Sequence, residues 1–288
     1  MLYQVTHVTR YLYEAPVTQC LSEARLTPRA STAQEVHETR IHVQPEPAVF
    51  EQRKDYFGND VATFSVFRTH DRFVTTATSI VDVIPRRAEV LPLTSWEEAR
   101  AYLSSHPDAE SLAAYEFVFD SPFVVAMPQL AEYAGPSFPP GRPLAEAVTE
   151  LSHRIYTEFR YEPKSTSVEM PLLEVLQNRR GVCQDFAHIM IGALRSLHLS
   201  ARYVSGYLRS GAKYHGAEAS HAWVAVFLPG YGWLNLDPTN DVIPSEGHVT
   251  LAWGRDYGDV TPVKGIALGG GGQTVEVEVS VQPLRGDT

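Results

Sequence analysis

Three side chains, in one chain order, carry the chemistry this sequence offers. Cys183 lies in Gly181-Val182-Cys183-Gln184-Asp185-Phe186, His221 in Ser220-His221-Ala222-Trp223, and Asp237 in Leu236-Asp237-Pro238-Thr239. A thiol, an imidazole and a carboxylate are the parts of a nucleophilic acyl-transfer site. The thiolate attacks a carbonyl carbon, the imidazole moves the proton, and the carboxylate fixes the imidazole's tautomer and stabilises its charged form.

Two local elements must position them. Gly181 ends one helical pattern and Cys183 opens the next, so the sulfur sits at a helix start. The unpaired N–H groups and dipole there stabilise a thiolate and can also hold an oxyanion. The helix runs from Cys183 to Leu197, and Phe186, Ala187, Ile189, Met190, Ile191, Ala193, Leu194 and Leu197 cover most of its surface, which predicts a central buried helix. Pro229-Gly230-Tyr231-Gly232 turns strand Ala222–Leu228 back into strand Trp233–Asp237. Pairing Leu228 with Gly232 sets His221 opposite residue 239, and a turn shifted slightly sets it opposite 238 or 237. His221 and Asp237 therefore meet at the open end of one hairpin. A lone half-buried cysteine is ordinarily a small core residue, and Asp before Pro is ordinarily a turn residue. It is the concurrence of helix start and hairpin pairing that favours catalysis.

The remaining elements divide the chain. Residues 1 to about 90 read as strands, at Tyr3–Thr9, Val36–Val43, Val61–Phe67 and Phe73–Val81, with Phe57-Gly58-Asn59-Asp60 as a hairpin turn; such short strands predict a small antiparallel sandwich. Ser95 caps a short helix through Leu103. The four prolines of Pro136–Pro143 mark a loop and a boundary. Beyond it, Ala147, Val148, Leu151, Ile155 and Phe159 share a helical face, Pro171–Gln177 forms a second helix, Ala201–Leu208 a further strand, and Val275–Val281 a clean alternating one. The expected organisation is 1–92 as an amino-terminal β-sandwich domain, 93–142 as a mixed linker packing on the core, and 143–288 as the catalytic core with its C-terminal strand.

Bulk properties narrow the partners. With 34 acidic residues against 24 Lys plus Arg, a net charge of −10, and only isolated basic pairs at Arg86-Arg87 and Arg179-Arg180, nucleic acid and anionic membranes are not expected partners. Two cysteines, Cys20 and Cys183, make no disulfide framework and read as free thiols of a reducing compartment. Neither a signal peptide nor a long apolar run is legible, so a cytoplasmic location is expected.

The motifs Gly181–His188, Ser220–Val224 and Leu236–Thr239 resemble the transglutaminase-like superfamily, in particular its bacterial cysteine protease group with an amino-terminal β domain. Arg25-Leu26-Thr27-Pro28, Asp55-Tyr56-Phe57-Gly58-Asn59 and Gly254–Val260 also resemble that group, and the likeness spans essentially the whole chain. It implies an α+β fold with a papain-like/transglutaminase-like core, the Cys helix packed on an antiparallel sheet, preceded by a small antiparallel β-sandwich. It further implies Cys183 as nucleophile, His221 as base and acid, and Asp237 as orienting carboxylate, acting through a thioester, with no cofactor and no metal.

Gln184 and Tyr161 are candidate oxyanion donors, and Trp223, Tyr257 and Asp259 candidate cleft residues. His188 and Asp185 read as structural, Cys20 as packing. The loop Ser210–Ala219, with Lys213, Tyr214, His215 and Glu218, reads as a substrate rim. Hydrolysis of a peptide or glutamine-type amide is the expected reaction, because no amine-binding site is legible; transfer to an amine is the alternative. A zinc site drawn from Cys183, His188, His215, His221 and Asp237 lacks any CxxC or HxxxH pair. A non-catalytic peptide-binding scaffold is the rival of another class. The β domain is a candidate cleft cover, partner surface or homo-oligomer contact.

Overall fold

The computed structural model describes residues 1–85, 90–105, 108–163, 170–211, 214–217 and 219–284. Arg86-Arg87, Lys213 and Glu218 lie outside the described residues. The fold is α+β, with a central cysteine-bearing helix packed on an antiparallel sheet and an antiparallel β-sandwich ahead of it. Among the described residues no helix is long and apolar enough to cross a membrane.

The sandwich is organised by one strand. β1 (Leu2–Ala24) threads both layers. Its first half lies between β5 (His70–Val83) and β13 (Gln273–Pro283), with β2 (Gln34–Gln44) outside β5. Its second half lies between β4 (Asp60–Val66) and β12 (Val263–Gly269), with β3 (Val49–Lys54) outside β4. Pairing slips between Leu12 and Val17 against β5, and between Val17 and Gln19 against β12. These irregularities turn the corner and exchange the inward parity: Tyr3, Val5, His7 and Thr9 point in before it, Cys20, Ser22 and Ala24 after it. Val43, Phe73 and Ala77 of one layer meet Cys20, Ala62, Phe64 and Val66 of the other. The C-terminal strand expected at Val275–Val281 with the core unit is β13, and both it and β12 are hydrogen-bonded to β1.

The core unit is a four-stranded antiparallel sheet in the order β10 (Gly232–Leu236), β9 (His221–Leu228), β8 (Ala201–Leu208), β11 (His248–Gly254). Even-numbered residues of β9, Ala222 to Leu228, pack on the helical layer, while Trp223 and Ala225 face away. The helical layer comprises α1 (Trp96–Ser105), α2 (Ala109–Tyr115), α3 (Pro128–Ala134), α4 (Leu144–Glu158), α5 (Leu172–Asn178) and α6 (Cys183–Ser196), followed later by the single turn α7 (Tyr257–Val260). Of Pro136–Pro143, only the first residues form a 3-10 turn (Gly135–Ser137). Asp185 to Arg195 of α6 are all buried, as its apolar wrap predicts. Arg195 breaks that pattern, and its guanidinium donates to the carbonyls of Phe117, Ala201 and Arg255 and to Ser121 Oγ. These bonds tie the end of α6 to the loops beneath it.

The two units share one apolar core. The inward face of the longer sandwich layer continues past the shorter layer, so Tyr3, Val5, Val81, Val83, Val279 and Val281 join the cluster built on α6. Polar groups complete the joint. β11 is an edge strand whose outer backbone is read by two buried side-chain amides. Gln34 donates to the Thr250 carbonyl and accepts from Thr250 N–H (both 2.8 Å). Asn59 donates to the Trp253 carbonyl (2.8 Å) and accepts from Trp253 N–H (3.0 Å). Asn59 is itself held by Asp55, whose carboxylate accepts from the N–H groups of Phe57 and Asn59, the Asn59 amide and Arg25 Nε. The Arg25 and Asp55–Asn59 motifs therefore dock the β unit onto the core rather than forming part of a reaction centre.

Asn59→Ala leaves a buried N–H and C=O of Trp253 without partners, at a cost of about 1–3 kcal/mol. In urea unfolding the midpoint should fall while the slope stays unchanged.

Candidate active site

The start of α6 is built around a folded-back carboxylate. Val182 is extended ahead of the helix, and Asp185 Oδ2 accepts from Val182 N–H at 2.8 Å. The glycine before it is required: a Cβ on Gly181 would lie 2.6 Å from Asp185 Oδ2 and 2.8 Å from its Cβ. Cys183, the first helical residue, is half-buried at this end. The short parallel pair β6 (Arg160–Tyr161) and β7 (Arg180–Gly181) sets Tyr161 beside Gly181, and the Tyr161 ring meets Phe186 edge-on at 6.4 Å.

The hairpin folds in the register the turn predicts, Gly232 against Leu228 through Leu236 against Val224. His221 opens β9, and Asp237 follows β10 one diagonal step from it, on the same face. His221 Nε2–H donates to Asp237 Oδ2 at 2.8 Å, with both side chains sealed from solvent. His221 Nδ1 has no hydrogen-bond partner among the described residues. Burial works against the imidazolium, but Asp237 and then Cys183 overcome it and raise the pKa of His221 to about 10. Burial likewise opposes the Asp237 carboxylate, yet His221 and His248 hold its pKa far below the usual range.

Asp237 is more heavily supported than a triad requires. Its Oδ2 also accepts from His248 Nε2–H at 3.2 Å and from Asn240 Nδ2–H at 2.8 Å. Its Oδ1 accepts from the N–H groups of Thr239 (3.0 Å) and Asn240 (3.3 Å). Sequence reasoning missed Asn240 and His248. An Asx turn at Asp237-Pro238-Thr239-Asn240 was a legible signal for Asn240. None existed for His248, which arrives from β11, the strand absent from the sequence reading.

The other candidates sort clearly. Trp223 is buried, stacks near His221 (6.2 Å between ring centroids) and donates Nε1–H to Asn235 Oδ1. Tyr257 lies close enough to Cys183 for the thiolate charge to raise its pKa, behind the larger effect of burial. The Asp259 carboxylate is held by Arg255 through Nε (2.9 Å), Nη2 (3.0 Å) and the backbone N–H (2.9 Å), which builds the turn at α7. His188 is structural as expected, its Nε2 accepting from Tyr257 N–H at 3.2 Å. Gln184 follows Cys183 in the first helical turn, half-buried. Cys20 is buried in the sandwich, and both cysteines are free thiols.

His215 and Gly216, ahead of β9, lie against this centre. His215 lies against the Tyr161 ring at 5.0 Å, and its N–H donates to Asn240 Oδ1. Gly216, at φ +87°, leaves room that a side chain would fill: a Cβ there would lie 2.9 Å from His221 Nδ1 and 3.6 Å from the Tyr161 hydroxyl. The imidazole's free nitrogen and a phenol thus flank one small space.

Gly216→Ala places a methyl in that space on a backbone that disfavours it, and should lower kcat by roughly ten- to a hundredfold without comparable loss of stability. A second expectation concerns pH. Burial, with Arg195 adding to it, lowers the pKa of His188 to about 3. Between its ordinary value near 6.5 and that value the unfolded chain binds a proton that the folded chain refuses. Stability therefore falls as pH drops through this window, and His188→Gln should flatten the fall in denaturant titrations.

Comparison with known proteins agrees with this architecture. Residues 3–82 match the bacterial transglutaminase-like N-terminal region, and residues 134–238 the transglutaminase-like superfamily core. The uncharacterized protein Rv2569c of Mycobacterium tuberculosis is 38% identical over 299 residues, covering 99% of this chain and 94% of that protein. A protein-glutamine gamma-glutamyltransferase of Pseudomonas aeruginosa is 26% identical over 166 residues, 55% of this chain and 22% of that enzyme. The crystal structure of a "Putative Cysteine Protease" from Cytophaga hutchinsonii superposes with a TM-score of 0.79 at 22% identity, covering 100% of this chain and 92% of that one. On its helix start, its hairpin and these matches, the chain belongs to the transglutaminase-like superfamily.

Proposed function

We propose that this protein is a cysteine-dependent amide hydrolase acting through a thioester on a peptide or glutamine-type amide. The observation that carries the reading is the bipolar contact of His221, bonded through Nε2 to Asp237 while its other ring nitrogen is left for the reaction at Cys183. Cys183 Sγ attacks the amide carbonyl and forms a C–S bond. His221 Nδ1–H protonates the amine as the C–N bond breaks. Water then attacks the thioester, His221 Nδ1 takes its proton, and the Cys183 thiolate leaves. The first N–H groups of α6 and the Tyr161 hydroxyl are the proposed oxyanion donors, with Gln184 as a further candidate.

Transfer to an amine is the second reading, favoured by the partial likeness to the Pseudomonas aeruginosa transferase. The product formed from a glutamine peptide, with and without a primary alkylamine such as cadaverine, separates the two, since ammonia leaves in either case. Hydrolysis gives glutamate in both conditions, whereas transfer diverts the acyl group to the alkylamide at the expense of glutamate.

Cys183→Ala should lower turnover by about a thousandfold or more with little effect on folding, and His221→Ala should lower it as far while also costing stability, since it takes a donor from the buried Asp237 carboxylate; Asp237→Asn keeps a residue of activity. Tyr161→Phe should cost roughly tenfold to a hundredfold in kcat. Because a protonated His221, its pKa raised to about 10, would favour a thiolate at its side, iodoacetamide should alkylate Cys183 rapidly well below pH 8, and His221→Ala should slow it. An ordinary thiol profile in both proteins would favour the scaffold reading.

A further inference from the structure

The face of the core sheet that points away from α6 carries a cavity of about 680 Å³ between the two units. Trp223, Trp233 and Trp253 form much of its wall, and Arg202 enters it from β8. Arg202 is stacked between two indoles, 4.0 Å from the ring centre of Trp233 and 3.8 Å from that of Trp253. It is 9% exposed, and its Nε is sealed without a hydrogen-bond partner. The charge that acts on it is that of Arg29, which has the same sign and covers the other face of Trp253 at 3.5 Å. The carboxylate on the cavity rim, Glu110, is exposed, and among the described residues it makes no ion pair with Arg202.

The neighbouring polar groups are already engaged: the Gln34 amide on β11, and Asn235 Oδ1 on Trp223 Nε1. A buried guanidinium without a counter-ion is costly, and stacking on indoles offsets only part of the cost. With both faces covered, what remains is its edge, and the in-plane donors there match a planar carboxylate. The volume lies in the range of small-molecule sites, and the indole walls suit a flat apolar body.

We propose that this cavity binds a small carboxylate-bearing molecule with an apolar body, its carboxylate paired with Arg202. Cys183 does not line the cavity, while two of its wall residues, His248 and Trp223, reach the candidate site through Asp237 and His221.

The probe is 3-phenylpropionate, compared with 3-phenylpropionamide, followed by calorimetry and by tryptophan fluorescence. Three of the four tryptophans line the cavity. The carboxylate should bind saturably with Kd below about 1 mM, and the amide at least about tenfold more weakly. Blocking Cys183 with iodoacetamide should leave this binding intact, so the outcome does not depend on the proposed reaction. Arg202→Met should abolish the preference for the carboxylate. Should that variant not fold, the wild-type comparison of carboxylate with amide decides alone. Absence of saturation, equal binding of the two probes by wild type, an unchanged preference in folded Arg202→Met, or loss of binding on blocking Cys183 would each overturn the proposal.

Discussion

A carboxylate with no exposure to solvent, Asp237, is the point on which the site depends. Burying an ion is costly unless its oxygens are satisfied, and here every donor comes from an element that must be in place first. His221 comes from β9, His248 from β11, and Asn240 with the Thr239 backbone from the turn after β10. The charge therefore ties three strands at one end of the sheet. Removing it leaves two buried imidazoles and an amide without an acceptor, so the site and the local fold are one structure.

β11 carries the same logic outward. It lies at the sheet edge, brings His248 to Asp237, and offers an unpaired backbone row to the β unit. The amides of Gln34 and Asn59 imitate a neighbouring strand there without extending the sheet. A longer sandwich layer pressed on the same core adds the apolar part of the joint. The β unit is thus linked to Asp237 through one strand, which gives a physical reason for motifs far from Cys183 to accompany the proposed site.

Much of this was legible because period and punctuation agree. The strand Ala201–Leu208 is found with its expected ends, and α6 differs from expectation by one residue. The Cys–His–Asp order, the glycine before Cys183 and the hairpin register were read from local features that the fold preserves. What was missed lacks such features. β11 is bulged between Thr250 and Ala252, which breaks its alternation. β12 carries glycines and leaves Ile266 and Leu268 exposed, so its pattern resembles a loop. The second half of β1 changes parity at its corner. His248 and the Arg202 stack depend on contacts between elements, which no window of sequence contains.

The electrostatics of His221 bear on the order of proton transfer in the proposed reaction. A neutral imidazole would first have to remove the thiol proton. With the pKa of His221 raised to about 10 by Asp237 and Cys183, against the opposing effect of burial, the imidazole ring is itself protonated at neutral pH. In the proposed reaction the first task of His221 is therefore that of an acid, donating from Nδ1 to the departing amine. Its basic role begins only in the second half, when water must be activated. Gly216 puts no side chain against that nitrogen, and His215 packs on Tyr161 beside it, so the group that would give and then take a proton is held in a sealed setting.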